Sequence, residues 1–261
     1  MRSKSKTILT ALIGILCFTS GISKHSYAQS ETRIEIGLSS GEAVHFVVTD
    51  PKERRAGKDP RKDMEYPLDE IPDMVYDGQV SVGSTDPDAD PRASRAFMAR
   101  NSDATQPSGT YEIKVVGVRT DPYGIGGLAR IGSGFEMKQY TFEKESVIME
   151  DSVHHYRMHL PSDTTEEAWL RRVIEPASLR RDLEAMNEVA HLTLPGEYSV
   201  ASTRVGDYRA ALAQGDSVAA RQELEALAEY FEQNKDGTYV NTYDMLMQDV
   251  ERLLAKLPEG N

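Results

Sequence analysis

The stretch SVIMEDSVHHYRMHLPSD, residues 146–163, marks the place where the spacing of the apolar residues changes. Before residue 161, apolar and polar residues alternate, as they do in half-buried β-strands. After residue 161, apolar residues recur every three or four positions, as on one face of an amphipathic helix. The change of period predicts strands in the first part of the chain and helices in the second.

Several alternating segments precede this point. Each puts β-branched or aromatic residues on one face, and they read TRIEIGL at 32–38, AVHFVV at 43–48, TYEIKVVGV at 110–118 and FEMKQYTF at 135–142. Turn residues such as Ser40-Gly41 and Asp77-Gly78 separate them. Short strands with such turns predict an antiparallel β-sandwich over residues 29–161.

Helical spacing extends over residues 162–261. We expect a first helix capped by Ser162 or Asp163, with Glu166 and Glu167 in its first turn. Further helices are expected after Pro176, after Pro195 and after Asp216. Their apolar stripes are Leu179, Leu183, Met186 and Ala190; then Ala220, Leu224, Leu227 and Phe231; then Leu246, Val250, Leu253 and Leu257. Short connections between them predict a small antiparallel helical bundle.

The first 28 residues have the organisation of an export signal. Arg2, Lys4 and Lys6 precede an apolar run that is too short to span a membrane, and small residues end at Ala28. We therefore expect cleavage after Ala28 and an exported protein, periplasmic or extracellular, with association with the cell surface as a further option. Cys17, the only cysteine, would leave with the signal, so no disulfide is expected.

The chain is acidic, with a formal net charge of −12. Loss of the signal would remove four positive residues and make the remainder still more acidic. Such a charge disfavours nucleic acid and anionic lipid as partners. No second apolar run is long enough to predict a transmembrane segment.

A charged segment at residues 50–76 interrupts two predicted strands. It contains four prolines, which fix the backbone and disfavour helix before them. We interpret it as a rigid connection that crosses the edge of the sandwich. A nucleic-acid patch is the alternative, but aromatic residues do not interleave with its lysines and arginines.

The C-terminal sequence DYRAALAQGDSVAARQELEALAEYFEQNKDGTYVNTYDMLMQDVERLLAKL, residues 207–257, resembles the FIMAH domain, a small helical module of secreted bacterial proteins. The resemblance extends over about residues 176–257. It implies a non-catalytic interaction or anchoring role.

A second resemblance concerns the first part of the chain. Asp50-Pro51, Arg54-Arg55, Asp59-Pro60 and Glu70-Ile71-Pro72, followed by SGTYEIKVVGV at 108–118, resemble sandwich modules of bacterial secreted and surface proteins, including pre-peptidase C-terminal domains. This resemblance implies a β-sandwich and gives no reaction.

The strongest metal candidate is DPDAD, which places Asp86, Asp88 and Asp90 at alternating positions. Closely spaced carboxylates suit Ca²⁺, so calcium is the cofactor that the sequence supports best, and no cofactor is otherwise expected. The glycine and the distal glutamate of a calcium-binding loop are missing, and a solvated acidic turn is the favoured interpretation.

Two other stretches offer weaker metal candidates. The sequence around Asn234 and Asp236-Gly237 fits a helix-breaking turn better than a calcium loop. In VHHYRMHL, His155 and His159 would share one strand face and His154 the other, and zinc would need further ligands such as His45. We interpret these histidines as surface residues.

Recognisable catalytic motifs are absent from the sequence. YGIGGLARIGSG, residues 123–134, lacks the Lys-Ser/Thr of a phosphate loop and predicts a bulged strand or hairpin. Neither a GxSxG elbow nor an HExxH motif occurs. Trp169, the only tryptophan, lies among residues predicted to be helical and is interpreted as an anchor between domains.

These observations favour a non-enzymatic exported module that binds or anchors to a protein or an envelope component. Two alternatives stay open. One is a carbohydrate-active or other hydrolase that uses carboxylates which no motif marks. The other is an adhesion module stabilised by calcium.

Overall fold

The fold was analysed in a computed structural model of the chain. It describes residues 33–40, 43–62, 67–72, 74–81, 93–99, 106–132, 137–194, 196–235 and 240–258. Side chains within 33–39, 77–81, 93–99 and 240–241 and that of Val75 are outside the description.

Eleven strands precede four helices in the described chain. The strands are β1 (Arg33–Ser40), β2 (Val44–Thr49), β3 (Arg55–Gly57), β4 (Leu68–Asp69), β5 (Met74–Ser81), β6 (Ala93–Ala99), β7 (Gly109–Gly117), β8 (Asp121–Gly132), β9 (Lys138–Ile148), β10 (Val153–Leu160) and β11 (Trp169–Val173). They form a five-stranded sheet in the order β5-β6-β1-β8-β9 and a six-stranded sheet in the order β11-β10-β7-β2-β3-β4. All the pairings are antiparallel.

The two sheets share one apolar core. Their inward side chains include Phe46, Tyr111, Ile113, Tyr156 and Met158 from the six-stranded sheet and Ile125, Ala129, Ile131, Tyr140 and Phe142 from the five-stranded sheet. Each set comes from alternate positions, because successive side chains of a strand point to opposite faces. The predicted antiparallel β-sandwich is therefore confirmed.

The helix predicted to begin at Ser162 or Asp163 is wrong. Residues 162–168 are not helical, and residues 169–173 form β11, which pairs with β10 from His155↔Val173 to His159↔Trp169. Leu170 and Arg172 point inward while Arg171 is exposed, so this short stretch follows the two-residue period of a strand. The predicted boundary after residue 161 thus falls between two neighbouring strands of one sheet.

The four helices are α1 (Pro176–Glu188), α2 (Glu197–Ala213), α3 (Ser217–Gln233) and α4 (Val240–Leu254), and they pack as an antiparallel bundle. Asp216 caps α3 as predicted, because its side chain accepts a hydrogen bond from the Ala219 backbone N–H. The predicted stripes are buried except at their ends. Ala190 lies beyond α1 and is exposed, and Leu257 lies beyond α4 and is only partly buried.

A second apolar core joins the bundle to the sandwich. It contains the helical stripes together with Val147 of β9 and Ile174, which follows β11. Both α1 and α4 pack against β9, and all the described residues belong to one compact unit. Within the described part of the chain, no helix is long and apolar enough to cross a membrane.

The charged segment is held by its own acidic residues. Asp50 is buried and accepts hydrogen bonds from the backbone N–H groups of Lys52 and Arg54 and from the Arg54 guanidinium. Arg55 pairs with Glu70 across β3 and β4, which form an edge of the six-stranded sheet. Arg61 likewise pairs with Asp59, so three arginines of this segment pair with carboxylates of the same segment.

The glycine-rich stretch forms β8 in a hairpin with β9. The register between these strands runs without interruption from Asp121↔Ile148 to Ile131↔Lys138, so the alternative of a bulge does not apply to this pairing.

Candidate functional site: a buried ionic cluster beside a cavity

A cluster of buried charged side chains lies where the sandwich meets the helices. Its centre is Arg172, whose side chain is only 4% exposed. Arg172 Nη2 donates to both carboxylate oxygens of Asp182 on α1 at 2.8 Å, and Nη1 donates to Asp249 Oδ2 on α4 at 2.8 Å. One guanidinium thus joins an edge strand to two helices.

Strand alternation explains the position of Arg172. Leu170 and Arg172 share the inward face of β11, and β11 is the last strand of its sheet. An inward charge is one of the devices that keep an edge strand from pairing with another chain. The edge is also covered from α4, because Arg252 Nη1 lies 3.5 Å from the Arg172 carbonyl oxygen. Both features make β11 unsuited to accepting a further strand.

The helices supply the carboxylates from positions within their buried stripes. Asp182 lies between Leu179 and Leu183, and Asp249 precedes Val250; both carboxylates are 1% exposed. A buried charge requires a partner, because desolvation of an unpaired ion costs several kcal/mol. The guanidinium of Arg172 provides that partner for both helices.

His154 extends the cluster into the sandwich. Its Nε2 lies 3.0 Å from Asp182 Oδ1 and its Nδ1 lies 2.7 Å from the Tyr123 hydroxyl, which is 2.8 Å from the Tyr156 hydroxyl. Burial and the charge of Arg172 lower the pKa of His154 from 6.5 to about 4. Near neutral pH the ring is therefore neutral, with Nε2 donating to Asp182 and Nδ1 accepting from Tyr123. Tyr123 then accepts a hydrogen bond from Tyr156.

The pKa values of the two carboxylates are shifted in opposite directions. Burial alone would raise the pKa of Asp182, but the charges of Arg172 and His154 and their hydrogen bonds hold it below its ordinary value. Burial raises the pKa of Asp249 to about 6, because Arg172 only partly offsets desolvation and Asp182 adds repulsion. Burial also lowers the pKa of Arg172, but the two carboxylates more than compensate and it stays charged. Asp249 is thus the member of the cluster whose charge changes nearest to neutral pH.

A cavity of about 340 Å³ opens beside the cluster, between β9 and α4. It is lined by Glu143, Lys144, Glu145, Tyr156, Arg172, Asp244, Met245, Gln248, Asp249 and Arg252. The lining mixes both signs of charge, and the wholly buried Nε of Arg172 has no hydrogen-bond partner among the described residues. The cavity is thus suited to a small polar group.

The predicted calcium residues Asp86, Asp88 and Asp90 lie outside the described residues, as do Asp236 and Gly237. Asn234 ends α3, where its side-chain amide donates to the Tyr230 carbonyl oxygen. Among the side chains that the structure describes, no three His, Cys, Asp or Glu gather as a metal site.

The prediction of which strand face each histidine occupies is correct, but the prediction that His154 is a surface residue is wrong. His155 and His159 share the outer face of β10, whereas His154 points inward. The surface interpretation of His154 is wrong because this side chain is buried, 4% exposed, and lies within hydrogen-bonding distance of Asp182 on α1. His45 Nδ1 instead hydrogen-bonds the Tyr76 hydroxyl.

Trp169 is also placed differently from the prediction. It lies on β11 and not on a helix, and its ring stacks on His159 with centroids 5.5 Å apart. Arg171 lies over the same indole, 4.7 Å from its centroid.

Sequence reasoning missed Arg172, Asp182 and Asp249. The available signal was an aspartate within each of two apolar helical stripes, since a charge at a core position calls for a buried counter-charge. The helical interpretation of residues 162–173 hid the inward position of Arg172.

Comparisons with protein-family models, with curated proteins and with solved structures find no match to this chain.

Proposed function

We propose that the chain is a non-enzymatic exported module that binds or anchors to a protein or an envelope component. The supporting observation is that the polar groups of the buried cluster, of which Arg172 and Asp249 line the cavity, already pair with one another. Arg172 is engaged by Asp182 and Asp249, and neutral His154 is engaged through both ring nitrogens. Such a cluster holds the helices on the sandwich and leaves the cavity rim for a ligand.

The same geometry argues against acid–base catalysis by most of these groups. A general acid or base must reach the reacting atom of the substrate directly or through one water. Asp182 accepts hydrogen bonds from two cluster members, and His154 has a pKa of about 4 and is buried. Neither group is placed to exchange protons with a substrate in the cavity.

A hydrolase is the second candidate, and one observation favours it. Asp249 lines the cavity and its pKa is raised to about 6, within the range of catalytic acids. Glu143 and Glu145 on β9 and Asp244 on α4 also line the cavity and could supply a second carboxylate. Against this, both oxygens of Asp249 face guanidinium groups, those of Arg172 and Arg252.

The resemblance of the helices to the FIMAH domain and the export signal add to the binding proposal. Both remain predictions from sequence. Both fit the proposed binding or anchoring role, since the FIMAH resemblance implies interaction or anchoring and the signal implies export. Calcium-stabilised adhesion would rest on Asp86, Asp88 and Asp90.

The test combines binding with turnover. The purified chain and Asp249→Asn are each incubated with the cell-envelope fraction, and bound partner and released reducing ends are both measured. The proposal predicts saturable retention of the chain by the envelope without product release. Gln248→Lys, a neighbouring cavity variant that changes the charge by the same +1, controls for a general change of cavity charge, and circular dichroism verifies folding.

Product release by the chain that Asp249→Asn abolishes and Gln248→Lys preserves would establish the hydrolase. Absence of saturable retention would also contradict the binding proposal.

A further inference from the structure

The outer face of the six-stranded sheet carries an excess of positive charge at the β7-β10-β11 side. We name this surface the basic face. Its outward residues, strand by strand, are Thr110, Glu112 and Lys114 on β7; His155, Arg157 and His159 on β10; and Trp169, Arg171 and Val173 on β11. Three lysines or arginines and one glutamate therefore occupy this surface, in a chain of net charge −12.

Two of the cations are placed next to each other. Arg157 lies directly opposite Arg171 on β11 and directly opposite Glu112 on β7. Like charges at directly opposite positions of paired strands are destabilising, so folding alone does not favour this arrangement. Burial and the charge of Lys114 lower the pKa of His155, while Glu175 and Glu112 act in the opposite sense, so Lys114 lies close enough to affect this ring.

Only one of these cations is neutralised by a carboxylate. Arg157 donates to Glu112 at 2.8 Å, but Lys114 and Arg171 form no ion pair with any described residue. Arg171 lies over the indole of Trp169, a contact that orients the guanidinium and leaves its charge unneutralised. The side chains of Lys114 and Arg171 are exposed. The surface therefore has charge available for an anion.

We propose that the basic face binds a carboxylate-bearing polysaccharide. Lys114 and Arg171 would engage carboxylates of the chain, and the partly exposed Trp169 would offer apolar ring surface to a sugar ring. The inference rests on the proposed function and names its envelope component by chemistry. An acidic peptide added as a further strand is disfavoured, because Arg252 and Lys256 already engage the Arg172 and Ile174 carbonyl oxygens near that edge.

The experiment uses the only tryptophan as its reporter, since Trp169 lies within the basic face. Its fluorescence is followed while the chain is titrated with polygalacturonate, with neutral dextran, with poly-glutamate and with oligo-deoxythymidine. Polygalacturonate is expected to bind most tightly and to weaken as salt is raised, and dextran is expected not to bind.

Matched charge reversals locate the site. Arg171→Glu is expected to weaken polygalacturonate binding by about tenfold or more, as for loss of a direct charge contact. Arg209→Glu makes the same change of charge at an exposed position on α2 and is expected to alter affinity by less than about twofold. Lys114→Glu provides a second variant that leaves the indole contact of Arg171 in place.

Equal weakening by Arg171→Glu and Arg209→Glu would overturn the site. Equal or tighter binding of poly-glutamate or oligo-deoxythymidine would overturn the polysaccharide chemistry. If the envelope retains the chain but Arg171→Glu and Lys114→Glu leave retention unchanged, this inference fails while the proposed function stands.

Discussion

Arg172 and Asp182 form a buried ion pair between edge strand β11 and helix α1, in which Nη2 lies 2.8 Å from both carboxylate oxygens. The pair matters because it crosses from the sandwich to the helical bundle. With Asp249 on α4 it forms a three-residue bridge between β11 and two helices.

Replacement of Arg172 by methionine should be strongly destabilising. The substitution keeps most of the side-chain volume but leaves Asp182 and Asp249 buried without their shared cation. We expect the free energy of unfolding to fall by about 3–5 kcal/mol, as for other broken buried ion pairs. Urea denaturation measures the change.

Arg180→Met is the matched control. Arg180 pairs with Glu184 on the exposed face of α1, where its own side chain is 53% exposed. An exposed pair of this kind contributes about 0.5 kcal/mol or less. Equal effects of the two substitutions would show that the buried bridge does not hold the structure.

The pH dependence of stability should contain two opposed contributions. The pKa of Asp249 is raised from 3.8 to about 6, so the folded state binds this proton more tightly than the unfolded state. Its contribution is fully present below pH 3.8 and is lost as the pH rises to about 6. From the size of the shift this is about 3 kcal/mol.

His154 makes the opposed contribution to the pH dependence of stability. Its pKa is lowered from 6.5 to about 4, so its contribution is fully present above pH 6.5 and is lost as the pH falls to about 4. The two terms nearly cancel between pH 4 and 6. Asp249→Asn should therefore lose stability on acidification relative to the unmodified chain, and His154→Gln should lose it as the pH rises from 4 to 6.

Urea denaturation at half-unit pH intervals tests both variants, and the difference from the unmodified chain at each pH removes the contribution of other groups. Parallel pH curves for all three proteins would contradict the assigned shifts.

Two glycines should respond in opposite ways to alanine. A Cβ at Gly117 would lie 2.2 Å from the Met149 carbonyl oxygen, so the backbone of the turn between β9 and β10 must shift. We expect Gly117→Ala to cost about 2 kcal/mol or more. At Gly206, within α2, a Cβ would meet no atom within 4 Å, and alanine should stabilise by about 0.5–1 kcal/mol.

Thermal unfolding of both variants checks this prediction. A stabilised Gly117→Ala would mean that the close approach to Met149 is not a feature of the folded protein.

The strands and the bundle could be predicted from the spacing of apolar residues. Buried residues recur every two positions on a strand and every three or four on a helix. The stripe Ala220, Leu224, Leu227 and Phe231 lies wholly within the core of the bundle, as its spacing predicts. Strand β11 could not be predicted in the same way. It has only five residues. Its two consecutive arginines differ in burial, since Arg171 is exposed and Arg172 is buried, and this difference depends on partners far along the chain.

The ionic cluster shows why a site can escape sequence reasoning. Arg172 contacts Asp249, which is 77 positions away in the sequence, and His154 contacts Asp182 only because the fold brings α1 to it. Each residue alone is consistent with an exposed polar position. The aspartates in the helical stripes indicated a buried counter-charge, but the identity of that charge depends on the tertiary fold.

The sandwich and the helices should unfold together, because the Arg172 bridge joins β11 to α1 and α4. Equilibrium unfolding in urea tests it most directly, with Trp169 fluorescence reporting on β11 and circular dichroism at 222 nm reporting on the helices. Coincident midpoints for the unmodified chain are the predicted result. Helices that persist after Trp169 has reported loss of its strand, or that melt well before it, would contradict the claim.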